Sequence, residues 1–166
     1  MSENADKTPV INFVSPKATI GNNVKIWHFA YIGNDTIIGN NVMIGSLTHV
    51  DYGVKIGNDC RIEGSVYIPP LTEIGNNVFI GPGTTFTNDP YPMSKKMVGV
   101  IVEDGAIIGG RSVIKPGVTI GRNSVIAMAS VPPDVVVMGH PAQVKYSRSH
   151  YDQKKNKWEG VKLTDN

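Results

Sequence analysis

The sequence predicts an all-β solenoid of short parallel strands, and three observations support this fold class. Apolar residues recur at every sixth position from Val14 to Phe86 without a break. From Ile20 onward, the residue two positions before each of them is small or β-branched, the types that favour extended backbone. Glycine often follows the large apolar residue, and Asn or Asp then follows the glycine, as in Gly21-Asn22-Asn23. Such residues tolerate the positive φ of tight corners, and a step of six suits the alternation of a strand better than the 3.6-residue turn of a helix.

Two of the repeats, Thr-Glu-Ile-Gly-Asn-Asn at 72–77 and Val-Thr-Ile-Gly-Arg-Asn at 118–123, resemble the hexapeptide repeat of left-handed β-helix acyltransferases. The resemblance implies three hexads per turn, so that one coil spans 18 residues, the spacing between Phe13 and Tyr31. It also implies a left-handed solenoid, against the general preference for right-handed crossovers. Finally, it implies assembly into a homotrimer.

With three hexads per coil, every third outward residue falls on the same face of the solenoid. The first face carries Phe13, Tyr31, His49, Tyr67 and Thr85, the second Lys25, Met43, Arg61 and Phe79, and the third Thr19, Ile37, Lys55 and Glu73. An aromatic stripe such as the first face is typical of a contact surface. We expect it to pack against a neighbouring subunit in the trimer, and scattered surface aromatics are the alternative.

The repeat breaks once, between Phe86 and Val102. The interval reads TNDPYPMSKKMVGVI, is polar and contains two prolines, so residues 87–101 are predicted to leave the solenoid as a protruding loop. Hexads resume up to Ile126, and Val131-Pro132-Pro133 is expected to end the last coil. The predicted β-helix domain spans residues 1–145, and residues 146–166 are predicted to form an irregular C-terminal tail.

The composition excludes several classes of protein. The chain of 166 residues fits one domain, and its formal net charge of +2, with no long basic run, argues against nucleic-acid binding. No apolar segment has the length of a membrane span or the place of a signal peptide, so we expect no membrane partner and a cytoplasmic enzyme. The single cysteine, Cys60, stands at a small inward position and is predicted to be a core residue, not a reactive thiol.

The segment Gly139-His140-Pro141-Ala142-Gln143-Val144 resembles the Gly-Asn-Pro-Ala-x-Val closing turn of acetyl-CoA-dependent hexapeptide transferases. The resemblance implies acetyl-CoA as co-substrate, with the pantetheine arm along the late coils and the adenine near this turn. Small residues allow an extended ligand to approach closely, and basic side chains can meet its phosphates. The candidate cofactor-binding residues are Gly110, Lys115, Ala127, Pro141, Lys145 and Arg148.

The start of the loop carries a narrower resemblance. Phe86-Thr87-Asn88-Asp89-Pro90, together with Ile26-Trp27-His28-Phe29 and Gly81-Pro82-Gly83, resembles the N-acetyltransferases that act on nucleotide-linked 3-amino sugars. In that branch the asparagine of Phe-Thr-Asn, here Asn88, lies at the reacting amine. One departure concerns the arginine that commonly follows in a Pro-Arg segment, because Tyr91-Pro92-Met93 stands there. Lys95 or Lys96 is the alternative contact for an acidic group of the substrate.

Transfer of an acetyl group to a sugar amine does not require a histidine base. A neutral amine attacks a thioester directly, and the thiolate leaves readily because a thiol has a pKa of about 8.5. Asn88 is therefore expected to orient the amine, or else only to cap the turn at the start of the loop. His49, on the aromatic face near the expected site, is the second catalytic candidate, as proton acceptor or substrate contact. The candidate substrate contacts are His28, Glu63, Tyr67, Thr87 and Asp89.

The sequence thus predicts an acetyl-CoA-dependent N-acetyltransferase for the amine of a nucleotide-linked, and by preference UDP-linked, 3-amino sugar. An O-acetyltransferase with His49 as base is the main alternative, since a hydroxyl needs deprotonation. A γ-class carbonic anhydrase shares the fold, but its His-x-x-x-x-His zinc ligands have no counterpart here, and no metal is expected. A scaffold without activity is the third alternative, against which the closing turn argues.

Overall fold

The computed structural model is a parallel β-solenoid, and it describes residues 11–126, 135–138 and 143–158. Eighteen strands of two residues wind around a common axis in three parallel sheets, and each strand pairs with its equivalent in the next coil. Sheet A contains β1 (Phe13–Val14), β4 (Tyr31–Ile32), β7 (His49–Val50), β10 (Tyr67–Ile68), β13 (Thr85–Phe86) and β16 (Val113–Ile114). Sheet B contains β2 (Thr19–Ile20), β5 (Ile37–Ile38), β8 (Lys55–Ile56), β11 (Glu73–Ile74), β14 (Ile101–Val102) and β17 (Thr119–Ile120). Sheet C contains β3 (Lys25–Ile26), β6 (Met43–Ile44), β9 (Arg61–Ile62), β12 (Phe79–Ile80), β15 (Ile107–Ile108) and β18 (Val125–Ile126).

The register of the strands confirms the predicted coil and the predicted composition of its three faces. Tyr31 pairs with Phe13 below and His49 above, a spacing of 18 residues in each direction. Across the loop the spacing grows to 28, because Glu73 pairs with Ile101. Ile101 is therefore a strand residue of sheet B, and the protruding segment is 87–100, one residue shorter than predicted. Pairing resumes without a further shift in the coil that follows.

The core is the column of large apolar residues that defined the repeat, backed by the column of small ones. Most of these side chains are fully buried, which removes their apolar surface from water and contributes most of the stability of such a solenoid. Cys60 lies in the small column with 2% of its surface exposed, and burial raises the pKa of its thiol to about 11. The prediction that Cys60 is a core residue is confirmed.

Four-residue corners join the sheets, and they define three edges: A–B, B–C and C–A. The third residue of nearly every corner has a positive φ, and it is usually Gly, Asn or Asp, the types that adopt this conformation at least cost. Bulky residues stand there at Phe29 and Leu47 on the C–A edge and at Leu71 on the A–B edge, with φ of 60°, 61° and 68°. All three side chains are more than half exposed.

Asparagines stack along the B–C edge and link successive coils. The Asn40 side-chain oxygen accepts the backbone N–H of Asn22 at 2.8 Å, and that of Asn58 accepts the N–H of Asn40 at 2.8 Å. The series continues through Asn76 and ends on Asp104, whose carboxylate accepts the Asn76 N–H at 2.7 Å. That hydrogen bond, the Asn76 side-chain amide and the charge of Arg122 hold the pKa of Asp104 below its ordinary value.

The C-terminal segment differs from the predicted irregular tail. β19 (Val135–Met138) extends sheet C in parallel beyond β18, β20 (Gln143–Ser147) pairs antiparallel with β19, and α1 (Arg148–Trp158) follows at once. The predicted domain boundary after residue 145 falls inside β20. The helix has no apolar stripe, and an ion pair between Arg148 and Asp152 at 3.0 Å supports it, so hydrophobic periodicity gave no signal for it.

Candidate functional site

The loop 87–100 leaves the solenoid at the A–B edge and closes on itself at its base. The backbone N–H of Val98 donates to the Asn88 carbonyl at 2.7 Å, so residues 89–97 form the excursion. Thr87 is still held in the coil, because its N–H and its hydroxyl both donate to the Ile114 carbonyl, at 3.0 and 2.9 Å. Gly99 lies so tightly on the Leu71 carbonyl that no side chain fits there. The return of the chain into the coil therefore depends on this glycine.

Asp89 organises the first half of the loop. One carboxylate oxygen accepts the N–H of Tyr91 at 3.0 Å, and the other accepts the N–H of Ser94 at 3.2 Å. Desolvation acts to raise the pKa of Asp89, but the hydrogen bonds from Ser94 and Tyr91 outweigh it and lower the pKa below its ordinary value. Both oxygens of this predicted substrate contact are thus engaged within its own loop.

The Asn88 side chain supplies a hydrogen bond between successive corners that is otherwise lost where the loop leaves the coil. In regular corners, the N–H of the third residue donates to the carbonyl of the second residue one coil below, as Gly53 does to Asn34 at 2.8 Å. Above Pro70 the chain has turned into the loop, and the Asn88 side-chain nitrogen donates to the Pro70 carbonyl instead, at 3.4 Å. The same nitrogen lies 3.2 Å from the Met97 sulfur. Within the described part of the chain, the Asn88 side-chain oxygen has no partner, so a half-buried acceptor is held at the base of the loop.

The predicted aromatic face is a continuous stack of rings on sheet A. Ring centroids are 5.0 Å apart between Phe13 and Tyr31, 4.4 Å between Tyr31 and His49, and 5.6 Å between His49 and Tyr67. The first two pairs are nearly parallel, whereas the Tyr67 ring is tilted by 55° from His49. The next residue in the column is Thr85, so the aromatic stack ends at Tyr67.

Asp51 joins this face and is not among the predicted site residues. One of its oxygens accepts the backbone N–H of Tyr52 at 2.8 Å, and the other accepts the Tyr67 hydroxyl at 3.4 Å. That second oxygen also lies 3.9 Å from Nε2 of His49. Burial and the neighbouring Asp51 charge raise the pKa of Tyr67. The available signal was the spacing, because Asp51 stands two residues after His49 in an extended segment and therefore on the same face.

The two candidate catalytic residues do not meet within one chain. His49 and Thr85 are two rungs apart on sheet A, a separation of about 10 Å at roughly 4.8 Å per strand. Asn88 lies beyond Thr85 on the A–B edge. The Asn88 side chain reaches back one coil to the Pro70 carbonyl, and among the described residues no hydrogen bond or ion pair joins it to His49. The hypotheses with Asn88 and with His49 at the reacting atom are alternatives within one chain.

Two candidate substrate contacts lie on the C–A edge, away from the loop. His28 has its ring centroid 6.0 Å from that of Phe29, and its Nδ1 lies 3.5 Å from the Ile11 nitrogen. Glu63 forms an ion pair with Arg61, with 2.6 Å between the carboxylate oxygen and Nε. Tyr67, in contrast, lies on sheet A, one coil below Thr85. Thr87 lies at the A–B edge and directly precedes Asn88 in the sequence.

The described candidate cofactor residues lie on three different edges. Gly110 is on the C–A edge, and Lys115 is exposed on the A–B edge. Arg148 lies at the B–C edge, where its guanidinium donates to the Asn123 carbonyl at 3.0 Å and to Asp152 at 3.0 Å, and so ties α1 to the last coil. Ala127, Pro141 and the side chain of Lys145 lie outside the described residues.

Three further observations concern grooves, metal ligands and membrane-spanning helices in the described residues. A shallow groove of about 340 Å³ lies on sheet B beside Lys55, Glu73 and Ile101, and none of the candidate residues lines it. In the described ranges, no three His, Cys, Asp or Glu side chains come together as metal ligands would. A search of the same residues finds no helix with the length and apolarity needed to cross a membrane.

The stacked two-residue strands and the four-residue corners define the class, a solenoid of hexapeptide repeats. Two family models match the chain: "Bacterial transferase hexapeptide (six repeats)" at residues 17–51 and 53–88, and "Hexapeptide repeat of succinyl-transferase" at 35–70 and 99–131. The chain belongs to the hexapeptide-repeat family, and its fold is the left-handed parallel β-helix that the sequence predicted.

The chain is also similar to individual N-acyltransferases. A 2,3,4,5-tetrahydropyridine-2,6-dicarboxylate N-acetyltransferase of Clostridium perfringens is 40% identical over 72 residues, which are 40% of this chain and 30% of that protein. The chain therefore spans less than a third of the curated relatives that it matches.

Two solved structures share the fold. A perosamine N-acetyltransferase from Caulobacter crescentus, in complex with CoA and GDP-perosamine, has a TM-score of 0.57 at 21% identity, covering 82% of this chain and 57% of that one. The N-acyltransferase AntD from Bacillus cereus, in complex with dTDP and 3-hydroxybutyryl-CoA, has a TM-score of 0.53 at 20% identity, covering 90% and 88%. Sequence identities this low show that the fold is shared and no more than that.

Proposed function

We propose that this protein is an acetyl-CoA-dependent N-acetyltransferase, and that its acceptor is the amine of a nucleotide-linked 3-amino sugar, by preference UDP-linked. The observation that carries the proposal is the amide of Asn88, with its nitrogen engaged by the solenoid and its oxygen left open where the loop leaves the repeat. The named activities of the related proteins support acyl transfer to an amine. The complexes of two of them, with GDP-perosamine and with dTDP, support a nucleotide-linked acceptor.

The chemistry asks little more of the protein than placement. The neutral amine attacks the thioester carbonyl carbon, the N–C bond forms, and the C–S bond breaks. The nitrogen gives up one proton, which neutralises the departing thiolate through solvent, and a thiol pKa of about 8.5 makes that thiolate a good leaving group. The Asn88 side-chain oxygen accepts an N–H of the amine and so directs the lone pair of the amine toward the thioester. Holding two reactants in this way raises the reaction rate by several orders of magnitude.

The experiment is a panel of acceptors with acetyl-CoA, in which release of the free thiol is followed with a chromogenic reagent. UDP- and dTDP-linked sugars with an amine at C3 or C4 are compared with their hydroxyl counterparts. We expect transfer to a 3-amino sugar and a loss of about 100-fold in kcat for Asn88→Ala. Asn34→Ala is the matched control, because Asn34 holds the same corner position on the A–B edge, three coils lower. Equal losses in both variants, or transfer to no amine, would overturn the proposal.

An O-acetyltransferase is the second candidate, and the pair of His49 and Asp51 favours it. A carboxylate 3.9 Å from Nε2 stabilises the imidazolium that forms when a histidine takes a proton from a hydroxyl. This reading predicts transfer to the hydroxyl sugars of the panel and complete loss of activity in His49→Ala. Transfer to amines with only partial loss in His49→Ala supports the first proposal instead.

We further propose a homotrimer. The sequence predicted that the whole aromatic face of sheet A forms the contact, and we propose the lower part of that face, around Phe13 and Tyr31, as its centre. The rings of Phe13 and Tyr31 are 50% and 37% exposed there, and the flanking Trp27 and Phe29 are exposed as well. Burying such a patch in an interface removes apolar surface from water. Analytical ultracentrifugation should give three times the mass of the chain. A monomer would refute the assembly, and Tyr31→Glu should shift the trimer toward monomer.

A further inference from the structure

We propose that the Tyr67 ring is the floor on which the sugar ring of the acceptor stacks, and that Asp51 is the positioning residue that fixes this ring. The inference rests on the proposed N-acetyltransferase function and deepens it by assigning the surface that holds the acceptor. The spacing places Asp51 on this face, and its contacts with Tyr67 and Tyr52 carry the assignment.

The aromatic stack of sheet A ends one rung below the loop. Phe13, Tyr31, His49 and Tyr67 fill successive rungs, and Thr85 takes the next one. A threonine reaches much less far from the sheet than a tyrosine, so the upper side of the Tyr67 ring has no ring above it. Tyr67 is 37% exposed, the same fraction as Tyr31, so the open side is defined by the threonine on the next rung and not by a larger exposed surface.

The notch above Tyr67 has small side chains at its back and larger ones above. Thr85 and Thr87 form the back, and the Thr87 hydroxyl is turned to the Ile114 carbonyl at 2.9 Å. Val113 pairs with Thr85 from the rung above, with 66% of its surface exposed. The rows of Tyr67 and Val113 are two strand spacings apart, roughly 10 Å, which leaves room for one ring between them. A pyranose ring presents C–H groups on its faces, and such a surface packs well against an aromatic ring.

Asp51 sets the orientation of the floor. It stands two residues along from His49, so it is the diagonal neighbour of Tyr67 across the sheet, a separation that long aromatic side chains can span. The Tyr67 hydroxyl donates to Asp51 at 3.4 Å, and the ring is tilted 55° from His49, whereas the rings below it lie nearly parallel. Asp51 is itself fixed by the Tyr52 N–H at 2.8 Å. The ring is therefore held before any ligand arrives.

The floor lies where the Asn88 amide can reach the same ligand. Tyr67 and Pro70 belong to one strand and its following corner, and Asn88 rests on the Pro70 carbonyl at 3.4 Å. A sugar that stacks on Tyr67 thus extends toward the A–B edge, where the open oxygen of Asn88 meets its amine. The arrangement assigns binding to Tyr67 and orientation of the amine to Asn88, so the two residues should affect different kinetic constants.

The test compares variants in steady-state transfer from acetyl-CoA to the UDP-linked 3-amino sugar. Tyr67→Ala should raise the KM of the acceptor roughly tenfold, from the loss of one covered ring face, while kcat and the KM of acetyl-CoA stay within twofold. Tyr67→Phe keeps the ring and loses its tether, so a smaller rise is expected. Asp51→Ala should raise the acceptor KM as much as Tyr67→Phe does, and the double variant should show no further rise. Asp51→Asn, which keeps an oxygen acceptor for the Tyr67 hydroxyl, should have the wild-type acceptor KM.

Tyr52→Ala is the matched control, since Tyr52 is an exposed tyrosine of the same edge that touches Asp51 through its backbone. An unchanged acceptor KM in both Tyr67 variants overturns the inference, as does an equal rise in Tyr52→Ala. A drop in oligomer mass in Tyr67→Ala, without a change in KM at saturating assembly, assigns the ring to a subunit contact and also overturns it. Failure of the wild-type protein to acetylate any amino sugar is a different result and overturns the proposed function as well.

Discussion

Thr48 and Thr72 occupy equivalent positions in two hexads that are four repeats apart, yet replacing each by valine should affect the stability differently. Both residues are fully buried at the end of a corner. The Thr48 hydroxyl donates to the Glu63 carbonyl at 2.8 Å, and Thr36 makes the same bond to the Asp51 carbonyl at 2.9 Å, each to the residue fifteen positions later. For Thr72 the equivalent acceptor is the carbonyl of Thr87, where the loop begins. Among the described residues, the Thr72 hydroxyl is the buried side-chain oxygen that has no partner.

The expected magnitudes follow from this difference. Thr48→Val removes the hydrogen bond to the Glu63 carbonyl and a longer one that the Thr48 hydroxyl accepts from the Val66 N–H at 3.4 Å, which together should cost about 1–2 kcal/mol of unfolding free energy. Thr72→Val removes a buried hydroxyl whose desolvation is not compensated, and it should leave the stability unchanged or raise it by about 1 kcal/mol. The two variants have nearly the same shape as the wild type, so cavity effects are small. A difference of about 2 kcal/mol between them is therefore expected.

The assay is urea unfolding followed by circular dichroism at one fixed protein concentration, because association also shifts the apparent stability. The midpoints should separate in the stated directions with unchanged m-values. Thr36→Val serves as a second regular corner and should behave like Thr48→Val. Equal destabilisation in Thr72→Val and Thr48→Val would refute the reasoning, because it would mean that the Thr72 hydroxyl has a partner in solution.

Three further predictions concern Asp104, Cys60 and Arg148. Because the Asn76 N–H and the Arg122 charge lower the pKa of Asp104, its contribution to stability is fully present above the ordinary value of 3.8 and is lost as the pH falls through the lowered one. Thermal melts of Asp104→Asn should therefore show a flatter loss of stability below about pH 4, and an unchanged acid limb would contradict this. Cys60, with a thiol pKa raised to about 11, should not react with a thiol reagent in the native protein at pH 8 and should react fully in urea; rapid native labelling would be the contrary result. Arg148→Ala should speed amide exchange in α1 and leave the coils unchanged, with Lys25→Ala as control; equal protection in both variants would show that the contact with Asn123 does not hold the helix.

The sequence alone was sufficient for the solenoid and for its faces. Each hexad has the same pattern of residue types, because its large apolar residue, its small residue and its corner must pack on the coil below. A register that repeats places every third outward residue in one column, and the column from Phe13 to Thr85 could be written down before any coordinates. The same repetition made the interruption after Phe86 visible. Buried Cys60 followed from its phase in the repeat.

The candidate site was only partly accessible in this way. Asn88 was singled out by the resemblance of Phe86-Thr87-Asn88 to the motif of amino-sugar N-acetyltransferases. The role of its nitrogen depends on the Pro70 carbonyl, which lacks its usual donor because the chain turns into the loop. The hydrogen bonds of both Asp89 oxygens with the loop backbone were not predicted, and its contact with the substrate stays a prediction. The two-coil step from His49 to Thr85 followed from the repeat, whereas the contact of the Asn88 side chain with the Pro70 carbonyl needed the structure.

The periodicity was enough to predict the fold because it indicates which residues face the core, which face outward and which form a corner. Each of these assignments depends only on neighbouring positions in the sequence. The contacts at Asp51, Tyr67 and Arg148 join residues on different coils or at the end of the solenoid, where no repeat constrains the partner. Their side chains end in polar groups, so several partners are compatible with the same position in the repeat. Only the tertiary structure selects among these partners, and it is these contacts that shape the proposed acceptor site and dock the terminal helix.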